Sequence, residues 1–332
     1  MTNLVIQSYG RESEYKRAIL AILSFYAHTS LLADHTKVIL FTDNPEYFKN
    51  YFADLPVAFS LLTPAKIQQM RGKSDFLHRM KIALIEEAFN TTEGPVLYFD
   101  SDTFFIDDPT PLLMQVNEHK SFMHTPEYPF NNMPGSSSVN EVKSFIKLLD
   151  RSNITLSTGA HINISPDIYS WNAGVMILPE QVALLLNDVY ALTDQFFAGS
   201  GNYASEQYAF SIMLQKNTLV EACEETIYHY WPKVKKEITD NFLTQHLNEQ
   251  WGFLPLAEKK KEVKVWAKSL PDLFENHALA LKNKAIIALG DKRYAEGYKL
   301  AMKAIMKEPF KNLPFMKDVL YYMKKQILHN ER

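Results

Sequence analysis

The stretch PVLYFDSDTFFIDDP, residues 95–109, runs from an apolar segment straight into four aspartates. Its apolar start predicts a buried strand, and Asp100 and Asp102 stand two residues apart where that strand ends. Asp107 and Asp108 follow shortly after. Carboxylates that are crowded at the end of a buried strand repel each other and lose hydration. The stretch therefore predicts a strand of a central sheet together with a partner that compensates the charge.

Segments of strand and helix character alternate along the chain on both sides of this stretch. The strand-like segments are NLVIQSYG (3–10), KVILFTD (37–43), PVAFSLLT (56–63), GPVLYFDSD (94–102), SWNAGVMILP (170–179) and LVEACEETIYHYW (219–231). The segments with apolar residues at helical spacing are 14–30, 74–89, 180–198 and 205–217. Apolar strands that alternate with helices predict an α/β fold, in which a mostly parallel, Rossmann-like sheet is flanked by helices.

Two regions depart from this alternation. The segment HTPEYPFNNMPGSSS, residues 124–138, is rich in Pro, Asn, Gly and Ser, which predicts a long loop or lid. Beyond about residue 255 the pattern is helical. We therefore expect residues 1–254 to form the α/β domain and residues 255–332 to form a helical C-terminal appendage.

The charge of the chain is unevenly distributed. The net charge is −3, yet residues 255–332 hold 17 Lys and Arg against 9 Asp and Glu. Several interpretations of this basic tail stay open: a solvated lysine face on helices, a surface for peripheral contact with the inner face of a membrane, a part that positions the acceptor, or a surface that binds another subunit. No aromatic and basic motif of a nucleic-acid reader is present, so we expect no nucleic-acid partner. The oligomeric state is not predicted.

The cysteine content and the apolar runs indicate the compartment. The single cysteine, Cys223, excludes an internal disulfide and a zinc cluster built on cysteines, and its flanks predict a buried position. The start MTNLVIQSYGRES lacks the basic head and long apolar run of a signal peptide. No apolar run approaches the roughly 20 residues that a spanning helix needs. We expect a cytoplasmic protein.

The position of Asp100 and Asp102 favours a metal site. Parallel sheets bind ligands beyond the carboxyl ends of their strands. Carboxylate oxygens suit Mg²⁺ or Mn²⁺, which usually keep waters and accept substrate phosphates as further ligands. The aspartate pair therefore predicts a site for a metal ion and a diphosphate. For Asp107 and Asp108, the favoured interpretation is that they cap a turn before Pro109.

YFDSDTFFIDDP resembles the Asp-x-Asp segment of GT-A fold glycosyltransferases, in particular family 8 and related families. Similar segments follow in the family order over roughly residues 1–236: SYGRESEYKR, FTD, HRMKIALIEEAF, WNAGVMIL, SEQYAFS and IYHYWPKVKK. The resemblance implies a GT-A fold and a metal-dependent enzyme. Such an enzyme moves a sugar from a nucleoside-diphosphate sugar, with UDP as the favoured nucleotide, to a hydroxyl of a carbohydrate or lipid-linked acceptor.

The resemblance also implies roles for individual residues. Metal ligands are expected at Asp100, Asp102 and His229. Glu206 and Gln207 are expected at the reactive carbon or the acceptor hydroxyl. Contacts with the donor are expected from Tyr9, Arg11, Asp43, Arg79, Lys81, Ser101, Asn172, Ala173, Gly174 and Lys235. Because Arg79 and Lys81 lie two apart on a helix, at most one of them points to the donor.

Several alternatives remain open at this stage. Glu206-Gln207 stands where family 8 has Asp-Gln, and bulky residues with Pro232 replace an expected glycine, which favours a related GT-A family. An inverting enzyme would use Glu206 as general base, whereas a retaining one needs no obvious protein nucleophile. A non-catalytic nucleotide-sugar-binding or scaffold protein with a helical interaction tail is a second candidate. A sugar-phosphate nucleotidyltransferase is less favoured, because only Gly10 follows the first strand where those enzymes have a glycine-rich loop.

Overall fold

The structure is a computed structural model in which the chain forms two compact units. It describes residues 1–31, 35–136, 138–150, 154–308 and 313–330, with the backbone alone for 327–330. One unit comprises Met1–His229 and Glu249–Val263, and the other comprises Tyr230–Asn248 and Lys264–Arg332. The division that the sequence predicts at residues 254 and 255 stays a prediction.

The first unit is built on a seven-stranded, mostly parallel sheet. The described strands of this unit, which form this sheet and two smaller ones, are β1 (Thr2–Gln7), β2 (Thr36–Thr42), β3 (Val57–Leu61), β4 (Val96–Phe99), β5 (Thr103–Phe105), β6 (Lys120–Met123), β7 (Pro126–Pro129), β8 (Tyr169–Trp171), β9 (Val175–Leu178), β10 (Leu219–Ala222) and β11 (Ile227–His229). The large sheet has the order β10-β6-β9-β4-β1-β2-β3, in which β9 is antiparallel to β4 and β6. β5 pairs with β11, and β7 pairs with β8, as two small antiparallel sheets.

Helices cover this sheet, as the alternating pattern predicts. They are α1 (Glu12–His28), α2 (Pro45–Phe48), α3 (Pro64–Arg71), α4 (Arg79–Thr91), α5 (Thr110–Gln115), α6 (Asn140–Asp150), α7 (Leu186–Ser200), α8 (Ser205–Asn217) and α10 (Glu249–Gly252). α4 begins five residues later than the sequence predicts, because Asp75 has a φ of 51°, which an α-helix cannot contain. The α/β class with a mostly parallel sheet is confirmed.

Three of the predicted segments are wrong in detail. Residues 170–179 form two strands, β8 and β9, which are separated at Asn172–Gly174. Residues 219–231 likewise contain β10 and β11, and a turn closes between them where the Thr226 N–H donates to the Cys223 carbonyl at 3.1 Å. The predicted loop at 124–138 contains β7 and a 3-10 helix, Phe130–Asn132, although Ser137 lies outside the described residues.

Two strand pairings bring distant segments to the end of β4. β4 is buried along its whole length and pairs with the equally buried β9, so that Phe99 lies opposite Val175. The next residues continue this register, because the Asp100 N–H donates to the Gly174 carbonyl at 2.8 Å. Thr103 lies opposite His229 in the β5–β11 pair. Asp100 and Asp102 are therefore held beside Gly174 and His229, residues far from them in sequence.

The second unit is helical, as predicted for the C-terminal region. Its helices are α9 (Lys233–His246), the part of α11 (Leu256–Asn276) from residue 264 onward, α12 (Ala278–Gly290), α13 (Tyr294–Lys307) and α14 (Leu313–Asn330). A small core of Leu281, Ala285, Ala301, Ala304 and Phe315 joins α12, α13 and α14. Within the described residues, no helix combines the length and the apolar character that crossing a membrane requires. The cytoplasmic location and membrane contact stay predictions.

Candidate metal centre

Asp100, Asp102 and His229 form one compact group at the carboxyl end of β4. A ligand atom from each residue lies within 4.8 Å of the others. The Nε2 atom of His229 is 3.5 Å from Oδ1 of Asp102 and 3.9 Å from Oδ2 of Asp100. Asp102 and His229 are buried, while Asp100 is partly open to solvent. Two carboxylate oxygens and an imidazole nitrogen suit a divalent cation such as Mn²⁺, so these residues fit the expected metal.

A buried lysine faces the same group from α4. The Nζ atom of Lys81 lies 3.6 Å from Oδ2 of Asp100 and 3.2 Å from Oε1 of Glu206, and it donates to the Ala173 carbonyl at 2.9 Å. Burial lowers the pKa of Lys81, but Asp100 and Glu206 raise it more, so the ammonium stays charged. One ammonium thus faces the carboxylates of Asp100, Asp102 and Glu206. The excess of negative charge favours a further cation.

Glu206 is the most buried carboxylate at this site. It stands at the start of α8 with 3% of its surface exposed. Burial raises the pKa of Glu206 to about 7, against the lowering effect of Lys81 and with a further increase from Asp100. The Lys81 ammonium favours the ionised form of Glu206, and the protonation of Glu206 changes near neutral pH.

Tyr98, on β4, fixes the orientation of the Asp100 carboxylate. Its hydroxyl donates to Oδ1 of Asp100 at 2.5 Å, and the ammonium of Lys81 lies 5.2 Å from its ring centre. Burial, and then the charge of Asp100, raise the pKa of Tyr98, so it remains a donor. Because Oδ1 is taken by Tyr98, Oδ2 is the oxygen that faces Lys81 and His229.

The Asn172-Ala173-Gly174 segment lies directly against His229. A Cβ atom on Gly174 would meet the His229 ring at 2.0 Å, so no larger residue fits there without moving the ring. Oδ1 of Asn172 lies 2.9 Å from Nδ1 of His229. The Ala173 N–H donates to Oε1 of Gln207 at 3.3 Å. The structure thus brings these three residues and Gln207 to the metal group.

The residues predicted to contact the donor at the ends of β1 and β2 form hydrogen bonds with nearby residues. Asp43 accepts from the Tyr15 hydroxyl at 2.7 Å and from the Gly10 N–H at 3.1 Å. The Tyr9 hydroxyl donates to the sulfur of Met80 at 3.4 Å. Because β4, β1 and β2 are adjacent and parallel, these residues share the sheet edge where β4 ends.

Ser101 joins the aspartate pair to α1. Its hydroxyl donates to Oε2 of Glu14 at 2.8 Å, and Oε1 of Glu14 accepts from Arg11 at 2.8 Å and from Arg17 at 2.9 Å. The Arg11 side chain remains 67% exposed. Glu14 therefore links the turn that carries the aspartates to an exposed guanidinium.

Two of the predicted donor contacts, Arg79 and Lys235, have partners of their own in the structure. Arg79 pairs with Asp194 at 2.9 Å and its guanidinium lies 4.4 Å from the Tyr190 ring centre, so of the two basic residues on α4 only Lys81 faces the aspartates. Lys235 belongs to the second unit, where its ammonium lies 5.7 Å from the Phe274 ring centre. The expected contact of Lys235 with a diphosphate stays a prediction.

Sequence reasoning missed Tyr98, Glu14 and Glu127. Glu127, on β7, accepts from Asn172 at 3.1 Å, from Gln207 at 2.7 Å and from Ser170 at 3.2 Å. It lies in the Pro-rich segment that predicted a loop, and its partners are 43 to 80 residues away in sequence. Glu14 carried a signal, since it lies in SYGRESEYKR, but nothing in the sequence distinguished Tyr98 from a core aromatic residue.

Among known proteins, this chain is similar to solved structures but matches no family model or curated sequence. Mouse xyloside xylosyltransferase 1 is similar over 67% of this chain and 85% of its own, with 13% identity and a TM-score of 0.43. The galactosyltransferase LgtC, crystallised with donor and acceptor sugar analogs, is similar over 76% and 100%, with 12% identity and a TM-score of 0.46.

A third neighbour is the glycosyltransferase GlyE of Streptococcus pneumoniae, which is similar over 81% of this chain and 64% of its own. Its identity is 12% and its TM-score is 0.44. All three neighbours are glycosyltransferases by name. Values this low carry no argument about activity, so a function for this chain must follow from its own residues.

Proposed function

We propose that this protein is a metal-dependent glycosyltransferase, which moves a sugar from a nucleoside-diphosphate sugar to an acceptor hydroxyl. The observation that supports it is the Asp100–Asp102–His229 group at the carboxyl end of β4, with a buried lysine beside it. The carboxyl ends of strands in parallel sheets are where ligands bind. An excess of buried carboxylates suits a cation that in turn binds phosphates.

Oδ2 of Asp100, Oδ1 of Asp102 and Nε2 of His229 would hold Mn²⁺ or Mg²⁺. A bound cation supplies charge neutralisation for the diphosphate as the nucleotide leaves. Lys81 lies 3.6 Å from Oδ2 of Asp100 and Tyr98 holds the carboxylate in one orientation, so this ligand is arranged before the donor binds. The contact of Lys235 with the diphosphate stays a prediction from the resemblance.

Glu206 and Gln207 would act at the sugar. Gln207 is held by the Ala173 N–H, by Ser170 and by Glu127, which fixes the direction of its amide. Glu206 holds Lys81 in its present position. Its pKa near neutrality suits a general base in an inverting reaction, and its burial suits a supporting role in a retaining one. Both stereochemical courses remain candidates.

The nucleotide would lie along the ends of β1, β2 and β4. Tyr9, Arg11, Asp43 and Ser101 line this edge, and Arg11 is the exposed cation among them. Asn172, Ala173 and Gly174 would border the sugar. We favour UDP as the nucleotide and a carbohydrate or lipid-linked acceptor.

A panel of UDP-, GDP-, dTDP- and CMP-linked sugars, with and without Mn²⁺, tests this proposal. We expect one nucleotide class to raise the melting temperature only with Mn²⁺, and to release free nucleotide when an acceptor is added. Metal-dependent binding without nucleotide release would instead support a non-catalytic binding protein. Release of pyrophosphate from a nucleoside triphosphate and a sugar phosphate would indicate a nucleotidyltransferase. An absence of both binding and release would exclude the proposal.

A further inference from the structure

The side-chain amide of Asn172 has polar partners on both of its ends. Its oxygen accepts from the Gly174 N–H at 3.0 Å and lies 2.9 Å from Nδ1 of His229. Its nitrogen donates to Oε1 of Glu127 at 3.1 Å. Asn172 itself is buried, with 6% of its surface exposed. A buried amide with partners on both sides holds one orientation.

These partners decide which end of the amide faces His229. A backbone N–H can only donate, so the atom that Gly174 contacts is the amide oxygen. The opposite end of the amide is then its nitrogen, which donates to Oε1 of Glu127. The assignment of the amide therefore follows from a backbone donor whose role is fixed, and it does not depend on the protonation of the histidine.

The amide orientation in turn determines the hydrogen position on His229. Because Nδ1 faces an acceptor oxygen at 2.9 Å, Nδ1 must carry a hydrogen. Nε2 then carries the lone pair in the neutral ring, and Nε2 is the atom that faces Asp102 at 3.5 Å and Asp100 at 3.9 Å. Gly174 closes the side of the ring, since any Cβ there would overlap it.

We propose that Asn172 is a positioning residue for the metal centre, and that Glu127 holds the Asn172 amide in the required orientation. Asn172 keeps a hydrogen on Nδ1 and fixes the direction of the His229 ring, so that Nε2 faces the two aspartates before any cation arrives. This inference rests on the proposed metal-dependent function. It differs from the sugar contact that the resemblance implies for Asn172.

Glu127 extends the same arrangement to Gln207. Its second oxygen, Oε2, accepts from Gln207 at 2.7 Å and from Ser170 at 3.2 Å. One exposed carboxylate therefore orients two amides, one that acts on His229 and one that lies at the start of α8. Outer partners of this kind fix ligand histidines in metal sites, and their loss typically lowers metal affinity about 10- to 100-fold.

The first measurement is the tautomer of His229 in the metal-free protein. Two-dimensional NMR correlations between ring protons and ring nitrogens report it, and the spectrum of a His229→Gln variant assigns the signals. We expect the hydrogen on Nδ1 in the wild type. Asn172→Leu has nearly the same size but no acceptor, so the hydrogen should move to Nε2 or exchange between both nitrogens.

The second measurement is Mn²⁺ affinity, followed by electron paramagnetic resonance of the free ion. Asn172→Leu should weaken it about 10- to 100-fold. The double variant Asn172→Asp with Glu127→Gln exchanges donor and acceptor across the pair while the total charge stays constant. It keeps an acceptor at Nδ1, so it should retain the wild-type tautomer and most of the Mn²⁺ affinity even if Asn172→Leu folds poorly.

A matched control exists at Asn131, whose amide nitrogen donates to the exposed Asp167 at 2.8 Å. Asn131→Leu should leave both the tautomer and the Mn²⁺ affinity unchanged. A wild-type ring with its hydrogen on Nε2, or an Asn172→Leu variant that matches the wild type in both measurements, would overturn this inference. A ring with its hydrogen on Nδ1 in a protein that binds no Mn²⁺ would overturn the proposed function instead, so the two failures are distinguishable.

Discussion

Two pairs of aspartates in one short stretch of sequence have different surroundings. The first pair, Asp100 and Asp102, follows β4, and the second pair, Asp107 and Asp108, follows β5. Within the second pair, Oδ1 of Asp108 accepts from the Thr110 N–H at 2.9 Å, the Thr110 hydroxyl at 2.5 Å and the Ser30 N–H at 3.2 Å. The second pair thus caps a turn, as its position before a proline predicts.

The first pair lies beside the ammonium of a lysine, the ring nitrogen of a histidine and the hydroxyl of a tyrosine. Oδ2 of Asp100 faces the ammonium of Lys81, and both aspartates face Nε2 of His229. The hydrogen bonds of the turn compensate the charge of Asp108. Asp100 and Asp102 instead share the single ammonium of Lys81 with Glu206, and this excess of negative charge favours a further cation. The comparison shows that the partners of an aspartate, more than its place in the motif, indicate its role.

The largest effect on stability is expected from removing the Lys81 ammonium, which lies beside the first pair. Lys81→Met leaves Asp100 and the buried Glu206 without their counter-ion, which should cost about 3–5 kcal/mol of unfolding free energy. Urea denaturation measures it. Lys66→Met is a matched control, since Lys66 pairs with the partly exposed Glu87 at 2.7 Å and should cost at most about 1 kcal/mol. An equal cost for both variants would contradict this account.

The same variant has a definite pH dependence. Burial raises the pKa of Glu206 in the folded protein to about 7, above its value of 4.5 in the unfolded chain. A carboxyl group whose pKa is raised by folding lowers the free energy of unfolding as the pH rises above its unfolded pKa. This loss of stability is complete above its folded pKa. Since Lys81 lowers the pKa of Glu206, Lys81→Met should increase this loss, so its cost should be larger at pH 8 than at pH 5.

The next effect concerns metal binding and separates the two pairs directly. Asp102→Asn keeps the size of the side chain but removes the charged ligand, so Mn²⁺ affinity should fall by at least about 100-fold, the upper range for a lost outer partner. Asp108→Asn should leave Mn²⁺ affinity unchanged. Isothermal titration with Mn²⁺ compares the two, and similar losses in both variants would remove the distinction between the pairs.

A smaller effect is expected from the glycine that adjoins His229. In Gly174→Ala the new Cβ would lie 2.0 Å from Cε1 of His229, so the ring must move away from the first pair. We expect Mn²⁺ affinity to fall about 10-fold, at the lower end of the cost of disturbing a ligand histidine. Gly252→Ala, whose Cβ would meet Tyr51 at an ordinary 3.4 Å, is the control and should bind Mn²⁺ as the wild type does. Unchanged binding in both would argue against His229 as a ligand.

The smallest effect belongs to the second pair. Asp108→Ala removes the acceptor of three donors at a partly exposed turn, which should cost about 1 kcal/mol of unfolding free energy. Burial raises the pKa of Asp108, but the hydrogen bonds from Thr110 and Ser30 lower it more, so its contribution is present above pH 3.8 and is lost as the pH falls through the folded pKa. Thermal unfolding at pH 7 and pH 2 should show a smaller difference from wild type at pH 2 than at pH 7.

Sequence reasoning predicted the sheet and the first pair because both depend on local signals. The strands β1, β2 and β4 are continuous apolar runs, and Asp100 and Asp102 follow one of them directly. The sequence predicted one strand where the structure has β10 and β11, because the turn at Cys223–Thr226 contains no Gly, Pro or Asn to mark it.

The surroundings of the site were less predictable because they depend on pairing between distant segments. Tyr98 has the sequence appearance of any core aromatic residue, and its hydroxyl acquires a role only through Asp100. Glu127 orients Asn172 and Gln207, which are 45 and 80 residues away, from a segment that predicts a loop. The choice between Arg79 and Lys81 was also open, because a two-residue spacing shows that they diverge but not which one faces the sheet end.

The central claim is that Asp100, Asp102 and His229 together hold a divalent cation that binds a nucleoside diphosphate. Crystals grown with Mn²⁺ and UDP test it most directly, because anomalous scattering locates manganese. We predict a manganese peak in contact with Oδ2 of Asp100, Oδ1 of Asp102 and Nε2 of His229, and with the diphosphate. A crystal that contains UDP with no manganese at these atoms, or with manganese bound elsewhere on the chain, would contradict the claim.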